Sequence, residues 1–246
     1  MLALSRDTSE NRSRPPLKTE RIVGFLDDLR RQAEAQTAER EQAATSGQRN
    51  AMLADAACKT TFQYWMQLAT QLNVLQPVAK TCYVIDSRHK VEGLPLSGFR
   101  VDARHQSEAT AAPYDHVVLQ CAVRSGQHLT ITKNFLTDIE RLEGRLRQAC
   151  IQPEVEAVRN PDNGKLQEMR YDFDADISIS VLLTPDHSNA SVRFEVKNID
   201  GLETVSFDLR AIEVSTARLD ELAKWLVGQP HEFLKGAQNL RRTEAP

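Results

Sequence analysis

Residues 171–183 alternate without a break. Tyr171, Phe173, Ala175, Ile177, Ile179, Val181 and Leu183 share one parity; Asp172, Asp174, Asp176, Ser178 and Ser180 take the other, with Leu182 the single apolar exception. A period of two over this length predicts one strand with a buried face and a wet face. Val192, Phe194 and Val196 repeat the pattern around Arg193 and Glu195, and Val205, Phe207, Leu209 and Ala211 repeat it around Ser206, Asp208 and Arg210.

Turn chemistry tests whether these strands pair. Asp200-Gly201 is a two-residue hairpin signal, because a type I′ turn needs positive φ at both central positions. It places Ile199 opposite Leu202, and so Val196 opposite Val205, Phe194 opposite Phe207, Val192 opposite Leu209 and Arg193 opposite Asp208. A slip of one residue would send the apolar rows to opposite faces. An even loop around residues 185–190 sets Val181 opposite Phe194. Ser215 or Thr216 then caps a helix carrying Leu219, Leu222, Ala223 and Leu226, which Gly228 and Pro230 stop.

A related unit precedes this one. Val117, Leu119, Cys121 and Val123 form an apolar row, and Arg124-Ser125-Gly126 reads as a three-residue hairpin loop with Gly126 left-handed. That register pairs Cys121 with Leu129 and Leu119 with Ile131. A helix follows, with Thr137 and Glu140 at capping-box spacing and Leu136, Ile139, Leu142, Leu146 and Ala149 on its inner face. Hairpin plus helix therefore occurs at 116–150 and again at 191–228, which a duplication would explain, as would the common way a helix covers an antiparallel sheet.

The N-terminal third reads differently. Residues 1–18, rich in Ser, Arg, Asp and Glu, read as a disordered tail. Thr19 caps a helix with Ile22, Phe25, Leu26, Leu29 and Ala33; Ser46-Gly47 breaks it; a second helix carries Leu53, Ala57, Thr61, Trp65, Leu68 and Leu72 to Pro77. Residues 19–76 are expected to form a helical hairpin, or an arm that pairs with another copy. Heptads are too short for a long coiled coil.

The fold class expected is α+β: an N-terminal helical hairpin, then an antiparallel sheet of about seven hairpin-connected strands covered by two helices. The divisions are 1–18 (tail), 19–76 (helical arm), 77–230 (antiparallel domain, with two similar halves at 77–152 and 166–230) and 231–246 (C-terminal tail).

Chemistry is sparse. The net charge of -3 argues against a general nucleic-acid or anionic-membrane binder. Residues 1–18 hold no apolar core of a signal peptide, so no secretory leader is expected, and no apolar run approaches the roughly 18 residues of a membrane span. Cys58, Cys82, Cys121 and Cys150 are widely spaced, without Cys-x-x-Cys, so they read as small buried hydrophobes in a reducing cytoplasm. Asp172, Asp174 and Asp176, about 7 Å apart along a strand, read as a solvated face, the alternative being a hard-cation or basic-partner site. His105 and His116 flank a polar loop and read as ordinary surface histidines. No nucleotide, hydrolase or kinase motif occurs, and no cofactor is expected.

The function expected is a non-enzymatic intracellular adaptor or chaperone-like module that binds a protein partner and self-associates as a homodimer. Phe25, Leu29, Tyr64 and Met66 are its expected partner-binding residues. The alternatives are a binder of a small or lipid-like ligand in a cavity between sheet and helices, and an enzyme drawing on His105, His116 and Asp172.

Overall fold

A computed structural model describes residues 24–107, 112–162 and 164–246, so the expected tail at 1–18, the Thr19 cap and Ile22 lie outside the described residues. The chain divides into two units, Met1–Ala44 and Thr45–Pro246. In order the elements are α1 (Phe25–Leu75), β1 (Tyr83–Val84), β2 (Lys90–Val91), β3 (Leu96–His105), β4 (Tyr114–Val123), β5 (His128–Lys133), α2 (Leu136–Ala149), β6 (Glu154–Arg159), β7 (Leu166–Asp174), β8 (Ile177–Asp186), β9 (Ser191–Lys197), β10 (Glu203–Arg210), α3 (Thr216–Leu226) and β11 (Gln238–Glu244). The class is α+β, and every strand pairing among the described residues is antiparallel.

The helical hairpin is corrected. A single helix, α1, runs through Ser46-Gly47. Glycine costs a helix about 1 kcal/mol relative to alanine, and the Ala, Gln, Glu and Arg on either side are strong helix formers. Once nucleated, a helix propagates through one such residue. Residues 24–46 are all exposed, whereas Ala54, Ala57, Cys58, Thr61, Trp65, Ala69 and Leu72 are buried.

Among the described residues eleven strands replace the expected seven or so. They form a six-stranded sheet in the order β11-β10-β9-β8-β4-β3, a three-stranded sheet β5-β7-β6 and the small pair β1-β2. The alternating stretch keeps its burial pattern from Tyr171 to Leu183 but is two strands: β7 pairs with β5 and β6, and β8 with β4 and β9. The break falls at Ala175-Asp176, where Ala175 N donates to Gln127 O (2.9 Å) and Asp176 Oδ1 accepts from Ser125 N (2.9 Å). β4 and β5 change sheet at the same corner, so they do not form the expected hairpin. Cys121 pairs with Ile179 and Leu119 with Val181, while Leu129 pairs with Phe173 and Ile131 with Tyr171. Gly126 is left-handed as expected (φ 63°). The β4–β5 and β9–β10 connections thus differ in topology, which offers the duplication reading no support.

The β9–β10 register is the expected one, including Phe194 opposite Phe207 and Arg193 opposite Asp208. Its turn is not. Residues 199–202 form the loop, closed by Asn198 N to Glu203 O (2.9 Å), and the positive φ falls on Asn198 (62°) rather than Gly201. Two-residue and four-residue loops centred at the same point give the same register, so pairing alone does not distinguish them. The β8–β9 loop lies further along than expected, and Leu183, not Val181, faces Phe194. Asp186 accepts from Ser188 N (3.0 Å) and Asn189 N (3.1 Å), fixing that turn one pair beyond the expected one. A shift of two residues preserves the face.

Ser215 caps α3 by accepting from Arg218 N. Thr137 does not cap α2; Phe135 is its N-cap, without a side-chain hydrogen bond. Cys58 and Cys121 are buried, but Cys82 and Cys150 are exposed, Cys150 as the left-handed C-cap of α2. The C-terminal tail supplies β11 and the fully buried Phe233, which packs edge-on against the stacked Phe194 and Phe207 rings. Asn198 is also fully buried: Nδ2 donates to Gln148 O (2.8 Å) and Ser178 O (2.7 Å), and Oδ1 accepts from Gln148 Nε2 (3.0 Å).

Candidate functional site

The largest apolar hollow of unit Thr45–Pro246 among those described is a groove of about 860 Å³ between the C-terminal part of α1 and α3. It follows from how the two helices end. Gln76, left-handed at φ 43°, donates to Leu72 O (2.8 Å), and Pro77 prevents another turn. Leu96 N then donates to Pro77 O (2.8 Å), holding the chain so that Val78 and Lys80 run beside α3. At the other wall, α3 stops at the left-handed Gly228, where a Cβ would lie only 3.0 Å from Lys80 Cβ and Cδ. Glycine admits Lys80 there.

Leu72 is buried beneath the groove and Leu68 is half-buried, while Leu75 is 71% and Val78 54% exposed. Ala217, Ala223 and Val227 form the facing wall. Charge sits at the margins: Lys80, Asp220, Glu221 and Lys224. Glu221 accepts from Lys224 Nζ (2.5 Å) and Glu232 N (2.6 Å). Lys80 makes no ion pair among the described residues. Tyr64 OH donates to Asp220 Oδ1 (2.5 Å), stitching α1 to α3; burial and this bond to a carboxylate push the Tyr64 phenol well above its ordinary value. Such a surface has the chemistry to cover apolar side chains, with charged groups alongside. It presents no nucleophile–base pair.

Of the expected partner-binding residues, Tyr64 borders a smaller hollow with Gln67 and Leu68 that shares Leu68 with the groove. Met66 is exposed and lines neither hollow. Phe25 (76% exposed) and Leu29 belong to unit Met1–Ala44. Val78, Lys80 and the α3 charges were not singled out by sequence, since a groove between helices arises only on packing; the apolar Val78 just past Pro77 was the one available hint.

The other expected groups stay apart. Asp172 accepts from Thr130 Oγ1, Asp174 faces His128 Nδ1 (3.0 Å), and Asp176 holds Ser125 N. Each aspartate has its own partner on β5 or at its entry. His105 packs against Tyr114 with ring centroids 4.3 Å apart and planes tilted by 35°, and His116 lies 2.9 Å from Asp115, both in the six-stranded sheet, whereas Asp172 is in the three-stranded one. Among the described residues no three His, Cys, Asp or Glu side chains are arranged to hold a metal ion, and no helix is long and apolar enough to cross a membrane. Comparison with protein families, curated proteins and solved structures finds no match.

Proposed function

We propose that this protein is a non-enzymatic protein-binding module that self-associates, the α1–α3 groove of one copy taking residues 25–29 of another. The observation that carries this reading is the exposed apolar lining of the groove, Leu75 and Val78 above all. Concave apolar surface with charged rims suits an amphipathic helix that inserts residues one turn apart. Phe25, Leu26 and Leu29 are such residues, exposed on a helical segment that has no buried position of its own. Charge favours the match: Asp27 and Asp28 complement Lys80, and Arg30 and Arg31 complement Asp220 and Glu221. Four free cysteines suit a reducing cytoplasm.

The ligand-binding alternative is supported only by the groove's volume, which falls within the range of small-molecule sites. The space between sheet and helices is filled by Trp65, Trp225, Phe194, Phe207 and Phe233.

A fluorescent peptide of residues 24–38, titrated into the full chain and followed by anisotropy, tests the reading. Saturable binding is expected, lost with Leu75→Asp or Val78→Asp in the protein and with Phe25→Asp in the peptide. Absence of binding to the unmodified protein sinks it.

A further inference from the structure

A second hollow, of about 350 Å³, lies between the β1–β2 turn, the end of β5 and α2. Three cations line it, Lys133, Arg141 and Arg145, against two carboxylates, Asp86 and Asp138.

The carboxylates are not equivalent. Asp86 is buried and fully engaged. Its Oδ1 accepts from Arg88 N (2.8 Å) and His89 N (2.8 Å) and faces His89 Nδ1 (2.9 Å), while Oδ2 accepts from Lys133 Nζ (3.0 Å). Asp138 stands 3.5 Å from Arg141, both about half exposed, a pair that solvent screens heavily. Arg145 donates Nε to an oxygen of Pro246 (2.7 Å) and Nη1 to Ile85 O (3.5 Å).

A guanidinium carries five N–H donors in a fixed fork. Arg141 and Arg145 stand one helical turn apart on one face of α2, so each presents donors beyond these contacts to the same hollow. We propose that this hollow binds a small oxyanion, a phosphoryl or carboxylate group, gripped by the forks of Arg141 and Arg145 with the Lys133 ammonium beside them. Arginine is suited to such planar, two-point recognition. The hollow is at the small end of ligand sites, which favours an anionic group on a short carbon skeleton over an extended polyanion. The site is separate from the α1–α3 groove and independent of what occupies that groove.

Isothermal titration of the full chain with inorganic phosphate, and separately with citrate, at ionic strength fixed by sodium chloride, tests it. Saturable single-site binding of at least one anion is expected, weakened about tenfold or more by Arg141→Ala, with Arg141→Lys intermediate because it keeps the charge and loses the fork. Binding of phosphate alone assigns a phosphoryl ligand, and of citrate alone a carboxylate ligand. Arg141 is half exposed, and an unchanged thermal melt checks that Arg141→Ala keeps its fold. No saturable binding above the chloride control, or equal binding by folded Arg141→Ala, overturns the site.

Discussion

The two larger sheets are held by different means. In β8 as far as Leu183, and throughout β9 and β10, every second residue is buried, and Phe194 and Phe207 stack with ring centroids 5.4 Å apart. The three-stranded sheet has less to bury: β6 has no buried residue, β5 only Ile131, and β7 only Tyr171 and Phe173. Polar contacts fill part of that deficit. Tyr171 OH donates to Glu143 Oε1 (2.8 Å), Thr130 to Asp172, and Ser125 N to Asp176. The six-stranded sheet is a packing problem, and the three-stranded sheet is pinned at its corner and along its wet face.

That contrast can be broken by substitution. Phe194→Ala removes a fully buried ring and should cost about 3–5 kcal/mol, read from denaturant melts. A loss below about 1 kcal/mol would show that the stacked cluster does not carry the large sheet. Asp176→Ala should cost less, about 2 kcal/mol, by orphaning Ser125 N at the corner. Hydrogen exchange should place its effect in β5 and β7, and uniform loosening of all strands would contradict a local pin.

Asp86 gives a titration test. Burial alone would raise its carboxyl, but hydrogen bonds from Arg88, Lys133 and His89 outweigh burial and hold it well below the usual carboxylate range. A depressed folded value contributes stability that is complete above the unfolded value near 3.9 and lost as pH falls below it. Asp86→Asn should therefore flatten the acid limb of a stability–pH curve below about pH 4 while leaving its slope near neutrality alone. An unchanged acid limb would mean the carboxylate is not the group responsible. Smallest of all, Asp174→Ala on the exposed face, where its His128 partner is also exposed, should change stability by no more than about 0.5 kcal/mol.

The same contrast governs what could be read from sequence. Alternation names a face and, with a turn, a register. It therefore foretold Val196 opposite Val205 and Leu209 opposite Val192 even though the turn itself was of another kind. It does not name the sheet. Tyr171 and Ile177 have the same parity and the same burial, so nothing in the pattern marks the passage between sheets at Ala175-Asp176. Ser46-Gly47 misled in the opposite direction, because a local break signal is weak within a long run of helix formers. For the candidate site, Tyr64 was legible as a bulky residue beside the Trp65 core position. Lys80 and Asp220 were not, because only the packing of α1 on α3 brings Tyr64 and Asp220, 156 residues apart, into one hydrogen bond and sets Lys80 in the same groove lining as Asp220.

Sedimentation velocity of the full chain over a wide concentration range tests the self-association reading most directly. A reversible monomer–dimer shift is predicted, abolished equally by Leu75→Asp in the groove and by Phe25→Asp with Leu29→Asp in the helical segment. A monomer at every concentration, or a dimer indifferent to both sets of substitutions, would contradict it.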